Sequence, residues 1–121
     1  MSAPVWIAVA LVGGLGASAR FLLHRLTARR IGRTFPFATF AINISGSLVL
    51  GLLIGLAVTG DLLLIAGTAT IGSYTTFSTW MLETQRLAED GKLRDATLNI
   101  VASLVLGVAA AALGRAIGAR L

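Results

Sequence analysis

Four apolar stretches occupy most of this 121-residue sequence and limit what it can fold into. Each is about 20 residues long, the length that an α-helix needs to cross the ~30 Å hydrocarbon core of a bilayer. Only 12% of the residues are charged, against about 25% in soluble domains. The sequence therefore predicts an all-α membrane protein with one four-helix transmembrane domain over residues 1–121, whose spans are Pro4–Leu23, Pro36–Val58, Leu62–Leu82 and Ala96–Ala116.

The third stretch contains a segment that is poorly suited to lipid. From Gly72 to Trp80 every residue is glycine, hydroxyl-bearing or aromatic. Backbone inside a bilayer must satisfy its own polar groups unless it lines a cavity or is buried in protein. We therefore expect the third helix to break near its middle. Carbonyls freed on one side of such a break favour a cation, and N–H groups at the start of the second half favour an anion.

The other spans contribute neutral polar side chains and one internal cation. Helix 1 carries Arg20, helix 2 carries Thr39 and Asn43 on one face, and helix 4 carries Asn99 and Ser103 four residues apart. Hydroxyl and amide donors, electropositive ring edges and a fixed cation all favour a small anion. A chain of this size encloses little of a pore alone, so we expect the path to form between subunits.

Composition argues against several classes of function. The sequence has no cysteine and a single histidine, and we find no arrangement typical of a hydrolase, so an enzyme is not expected. The net charge of +5 comes largely from cations at the helix ends, where they normally contact lipid headgroups or set topology. A nucleic-acid partner is therefore not expected.

The positions of Lys and Arg predict the orientation in the membrane. Outside the spans, seven of them lie in the links after helices 1 and 3, and two lie on the side of the termini, Arg115 and Arg120. The positive-inside rule then places the links in the cytoplasm and both termini outside. Within the first link, Leu22–Phe35 has the apolar spacing of a short helix lying in the membrane interface.

Three motifs resemble the Fluc fluoride channel family, also called CrcB-like fluoride exporters. They are Gly13-Gly14-Leu15-Gly16-Ala17-x-x-Arg20-Phe21, Thr39-Phe40-Ala41-Ile42-Asn43-x-x-Gly46-Ser47 and Gly72-Ser73-Tyr74-Thr75-Thr76-Phe77-Ser78-Thr79-Trp80. With the length and the four spans, the resemblance covers nearly the whole chain. It implies a passive, fluoride-selective channel in the cell inner (plasma) membrane that exports fluoride and lowers its cytoplasmic concentration.

The resemblance also implies an assembly and a set of site residues. It implies an antiparallel dimer with two fluoride pores along the subunit interface and a structural Na⁺ at the dimer centre. By position, the backbone carbonyls of Gly72 and Tyr74 of each subunit would hold the sodium. The pore residues carried over by position are Asn43, Phe77, Thr76, Ser78, Thr79, Trp80, Ser103 and Arg20.

The sequence departs from the family pattern at three pore positions. Trp80 stands where the family has a second phenylalanine, Asn99 where it usually has a tyrosine, and Gly107 where a hydroxyl is common. One of the two pores could therefore be lined differently. A non-conducting or partly conducting structural subunit of a heterodimeric fluoride channel is the alternative function.

Two further alternatives concern the partner and the transported ion. The uneven split of Lys and Arg favours a single orientation, so the partner is either a second copy or an oppositely oriented homologous subunit. A small exporter of organic cations would need a carboxylate embedded in helix 1. Helix 1 has none, which argues against that class.

Overall fold

The computed structural model describes residues 2–30 and 35–121 as a helical chain. No strand occurs in these two ranges, which confirms the all-α prediction. Within them, three helices are long and apolar enough to cross a membrane, over Ala3–Thr27, Phe37–Gly55 and Leu93–Arg120. In chain order the elements are α1 (Ala3–Arg30), α2 (Phe37–Gly55), α3 (Gly60–Leu63), a π-helix (Leu64–Ile71), α4 (Gly72–Tyr74), α5 (Ser78–Glu89) and α6 (Leu93–Arg120).

The first helix is longer than the sequence predicts. α1 runs without interruption to Arg30, so the residues from Leu22 onward continue it rather than forming a separate interfacial helix. At 28 residues and ~1.5 Å per residue, it exceeds the ~30 Å that a hydrocarbon core requires. It is therefore longer than a perpendicular crossing of the core requires. The rest of the expected interfacial helix, residues 31–34, lies outside the described residues.

The starts of α2 and α6 reflect local backbone chemistry. α2 begins directly after Pro36, as predicted, and the Pro36 carbonyl accepts from the Phe40 N–H at 3.1 Å. The last helix, α6, starts after Lys92, and Asp95 lies inside its first turn. A carboxylate there still interacts favourably with the helix dipole. Gly91 has a φ of +76°, which permits the tight turn before α6.

Helices α2 and α6 pack closely and run parallel. A Cβ added at Gly51 or Gly55 would collide with the backbone of Ala111 or Arg115, and one added at Gly114 would collide with Leu48. The contacts pair an earlier residue of α2 with an earlier residue of α6, and a later one with a later one, so the two helices point in the same direction. Small residues let helix backbones approach in a membrane, where dispersion contacts rather than hydrophobic burial hold helices together.

The segment 60–74 follows α1 in parallel. A Cβ on Gly13 would lie 3.7 Å from the carbonyl oxygen of Ala69, and one on Gly16 would overlap that of Thr70. Most of this segment is a π-helix, in which the Thr70 hydroxyl donates to the Ile65 carbonyl, five residues back, at 2.8 Å. Runs of π-helix are rare and are often found at functional sites.

The same segment and α5 follow α2 in the opposite direction. A Cβ on Gly67 would lie 3.4 Å from Leu50, Thr76 bonds to Asn43, and Glu83 bonds to the buried Thr39. Helical structure is interrupted between Tyr74 and Ser78, where Thr75 is extended with ψ of 160°. Segment 60–89 thus follows α2 over most of the length of α2, in two helical parts separated by the interruption.

Candidate functional site

Asn43 from α2 holds the interruption between α4 and α5 in place. Its amide nitrogen donates to the Thr76 carbonyl at 2.9 Å, and its amide oxygen accepts from the Thr76 N–H at 2.8 Å. An unpaired backbone group in a membrane costs several kcal/mol, and Asn43 satisfies two of those that the interruption frees. The Thr76 hydroxyl accepts from the N–H of Thr79 at 3.3 Å, which pairs one N–H of the first turn of α5.

An open groove of about 360 Å³ runs along this interruption. Phe77 stands at its edge with 70% of its surface exposed. The Phe77 and Trp80 rings meet edge to face, with centroids 5.6 Å apart and planes at 81°. The groove combines amide, hydroxyl and backbone groups with two aromatic rings and no carboxylate. Its lining is Asn43, Gly46, Ser47, Leu50, Gly67, Thr68, Ile71, Gly72, Thr75, Thr76, Phe77 and Trp80.

A second groove, of about 430 Å³, lies against the end of α1 and is strongly basic. The Arg20 guanidinium donates to the Thr75 carbonyl at 3.4 Å, which brings this cation to the interruption. Thr76 lines both grooves, so they meet at that residue. The second groove is lined by Arg20, Phe21, His24, Arg25, Thr76 and Thr79.

A third groove, of about 350 Å³, lies between α2, α5 and α6. Asn43 and Trp80 line both it and the first groove. Ser103 is 9% exposed, and its hydroxyl is one of two buried side-chain oxygens in the described residues without a hydrogen-bond partner.

Comparison with known sequences identifies the family of this chain. Residues 7–115 match the family described as CrcB-like protein, Camphor Resistance (CrcB). This chain belongs to the CrcB family. The matched range contains every residue that lines the three grooves.

Several curated relatives carry the same printed name. A Mycobacterium bovis protein named Fluoride-specific ion channel FluC 2 is 55% identical over 115 residues, covering 95% of this chain and 91% of the relative. A Symbiobacterium thermophilum protein named Fluoride-specific ion channel FluC 1 is 41% identical, covering 93% of this chain and 96% of the relative. A Leifsonia xyli protein of that same name is 44% identical, covering 98% and 89%.

Most of the pore residues expected from the CrcB-like motifs lie on the grooves. Asn43, Thr76, Phe77 and Trp80 share the first, and Arg20 and Thr79 share the second. Ser103 lies on the third. Ser78 is exposed at the start of α5 and lines none of the three.

The two expected sodium ligands differ in their surroundings. Gly72 is exposed and lines the first groove. The Tyr74 hydroxyl instead lies 2.9 Å from that of Ser45 and faces an apolar groove beside α1. Both carbonyls lie just before the interruption. The Thr76 N–H, which would pair with the Gly72 carbonyl in a continuous α-helix, is bonded to the Asn43 side chain instead.

Ser47, His24 and Arg25 are among the groove residues that sequence reasoning missed. Ser47 lines the first and third grooves beside Asn43, and the spacing of four residues on one helix face could have identified it. His24 lines the second groove one helical turn from Arg20, together with Arg25.

Asn99 shares a face of α6 with Ser103, but it does not line a groove as Ser103 does. It is completely buried, and its amide donates to the Thr84 hydroxyl at 2.8 Å. It lines none of the three grooves. This asparagine joins α6 to α5 behind the grooves.

Proposed function

We propose that this chain is a fluoride-specific ion channel of the plasma membrane that lets fluoride leave the cell passively. The observation that carries the proposal is the first groove, where the Asn43 amide, hydroxyl residues and two aromatic rings lie together at an interrupted helix, without a carboxylate. Small hard anions gain most from closely spaced donors that replace their hydration shell. The relatives named fluoride-specific channels at up to 55% identity support the same function and favour conduction over a purely structural subunit.

The pore we propose uses the residues that the grooves bring together. Arg20 supplies a fixed positive charge near the mouth, and Thr76 and Thr79 lead inward from it. Asn43, Phe77 and Trp80 form the central wall, with Ser103 following in the third groove. Ser78 is the first residue of α5, whose N-terminal end carries a partial positive charge that also favours an anion.

We further propose that segment 60–89 is a fourth span, broken at residues 75–77. Its first part runs parallel to α1, and the whole runs antiparallel to α2 from Leu50 down to Thr39. A segment that follows a membrane helix over most of its length crosses the same depth of bilayer. Residues 1–121 then form one four-helix transmembrane domain.

An antiparallel dimer would complete the grooves. In one subunit Phe77 is 70% exposed, and the groove beside it is open along one side. A ring edge can bind an anion effectively only where water and lipid are excluded. We propose that a second copy of this chain, inserted in the opposite orientation, covers the groove and closes two equivalent pores.

The carbonyls before the interruption suit a structural Na⁺. Gly72 and Tyr74 would offer two backbone oxygens per subunit and four per dimer, which are hard ligands of the kind that alkali and alkaline-earth cations prefer. The described residues contain no cluster of His, Cys, Asp or Glu that could hold a metal. Sodium held by these carbonyls would fix the dimer axis and would take no part in conduction.

Efflux from liposomes tests the function. Purified protein is reconstituted into vesicles loaded with fluoride or chloride, and release is followed with ion-selective electrodes after the membrane potential is clamped. We expect rapid fluoride release and chloride release no faster than in protein-free vesicles. Equal release of both anions, or none of either, would overturn the proposal.

A further inference from the structure

A set of hydrogen bonds joins α5 to α6 behind the first and third grooves, and among its side-chain polar atoms the Asn99 amide oxygen alone has no partner. The Trp80 indole N–H donates to the Asn99 backbone carbonyl at 3.1 Å. In return the Asn99 amide donates to the Thr84 hydroxyl at 2.8 Å and contacts the Trp80 carbonyl at 3.5 Å. The Thr84 hydroxyl donates to that same carbonyl at 2.8 Å. Three residues on two helices thereby hold one another.

This network determines which part of Trp80 reaches the grooves. Trp80 lines both the first and the third groove, but its indole N–H is turned toward α6 and used there. The part left to face the grooves is the carbon framework of the ring, whose edge carries partial positive charge. Phe77 meets this ring edge to face at 5.6 Å, so the two rings form one wall.

We propose that the Asn99 side chain is a positioning group: by bonding to Thr84 and to the Trp80 carbonyl it holds α5 against α6, and this keeps the Trp80 indole N–H on the Asn99 backbone carbonyl and away from the fluoride path. The inference rests on the proposed function and deepens it. A conducting site must bind an ion well enough to admit it and weakly enough to release it. An indole N–H free to turn into the groove would be a strong donor at one fixed point and would retain fluoride there.

Asn99 acts through Trp80 rather than on the ion. It is completely buried, its amide N–H groups are directed to α5, and it lines none of the three grooves. Its effect on conduction should therefore depend on the presence of an indole at position 80. A residue that contacted the ion directly would have an effect independent of position 80.

A double-mutant cycle on fluoride efflux tests this dependence. Asn99→Ala leaves the backbone carbonyl that accepts the indole N–H but removes the amide bond to Thr84 that holds the two helices together. It is expected to slow efflux about tenfold, the size of effect that loss of a buried hydrogen bond produces. In a Trp80→Phe background the same substitution should change the rate by less than about twofold, because phenylalanine has no N–H to restrain. Equal factors in both backgrounds would overturn the proposal, whatever the rate of Trp80→Phe itself.

A spectroscopic measurement, which requires no ion flux, keeps the test independent of channel function. Trp6→Phe leaves Trp80 as the single tryptophan, so its fluorescence anisotropy and indole N–H exchange can be read directly. Asn99→Ala should lower the anisotropy and speed N–H exchange about tenfold, while the exposed α5 control Gln85→Ala should change neither. An unchanged Trp80 signal in Asn99→Ala would overturn the proposal. Absence of efflux in the wild type, with the Trp80 response intact, would count against the proposed function instead.

Discussion

Asn43 and Thr76 are joined by two reciprocal hydrogen bonds, one from the Asn43 amide nitrogen to the Thr76 carbonyl at 2.9 Å and one from the Thr76 N–H to the Asn43 amide oxygen at 2.8 Å. The side chain thus replaces backbone pairing that the interrupted helix lacks. One N–H of the Asn43 amide remains for the groove that it lines. Asn43 therefore has a structural role at the interruption and retains one N–H for the pore role that we propose.

Substitution of Asn43 should remove both roles at once. Asn43→Ala leaves the Thr76 N–H and carbonyl unpaired in a low-dielectric environment, so we expect a loss of stability of about 1–3 kcal/mol and no measurable fluoride efflux. Stability is measured by thermal unfolding in detergent, and efflux in liposomes. Ser18→Ala is the matched control, because the Ser18 hydroxyl bonds only within α1, to the Gly14 carbonyl at 2.8 Å. Efflux retained in Asn43→Ala would contradict the pore assignment.

The close approach of α2 and α6 predicts opposite effects at two glycines. Gly114→Ala would drive a methyl group into the Leu48 backbone, and overpacking of this kind costs about 1–3 kcal/mol. At Gly107 the nearest atoms to an added Cβ lie 3.8 Å away, on Ile44 and Ser47, so Gly107→Ala should be neutral or slightly stabilising. Thermal unfolding of the two variants in one detergent checks the difference. Equal melting temperatures would show that the two helices do not pack as described.

Labelling of two introduced cysteines tests the fourth span. The chain has no natural cysteine, so Thr59→Cys and Asp90→Cys can be combined in one molecule. If segment 60–89 crosses the membrane, every chain has one cysteine on each side, whichever way it is inserted. A membrane-impermeant maleimide, followed by a permeant one of different mass, should then give chains that carry one of each. Chains carrying two labels of one kind would refute the fourth span.

Removal of sodium should weaken the protein without a change in sequence. If carbonyls of Gly72 and Tyr74 hold Na⁺ in the native dimer only, binding stabilises that state by about 3 kcal/mol when sodium exceeds its Kd a hundredfold. Exchange of Na⁺ for N-methylglucamine should therefore lower the melting temperature and the dimer fraction on size-exclusion chromatography. Restoring Na⁺ should reverse both effects. A melting temperature independent of sodium would contradict the site.

The third apolar stretch shows which part of the backbone structure the sequence predicts and which part it does not. The composition of Gly72–Trp80 predicts that its backbone is not an ordinary lipid-facing helix. In the structure α4 ends at Tyr74 and α5 begins at Ser78; that this is a break within one membrane span stays a prediction. The π-helix that precedes the interruption was not predicted. Hydrogen bonding from residue i to i−5 in place of i−4 depends on packing against α1 and α2, which local sequence does not encode.

Asn99 shows the same limit for side chains. Periodicity places it on one face of the last helix with Ser103, which is correct, and suggests that both face one path. In the structure Ser103 lines a groove, whereas Asn99 is completely buried against Thr84 and Trp80. Helical spacing gives the direction of a side chain on its own helix, but the neighbouring helix decides what that direction meets.

The sequence by itself determined that this chain is an all-α membrane protein of the CrcB family, because length, hydropathy and short motifs are local properties. Most of the pore residues that it predicted also line the grooves. Only the tertiary structure decided which groups are already bonded and which remain free for an ion. The Asn43 amide, the Trp80 indole and the Ser103 hydroxyl look alike in sequence as polar groups in hydrocarbon. They differ because the first two meet backbone atoms of a neighbouring helix and the third meets none.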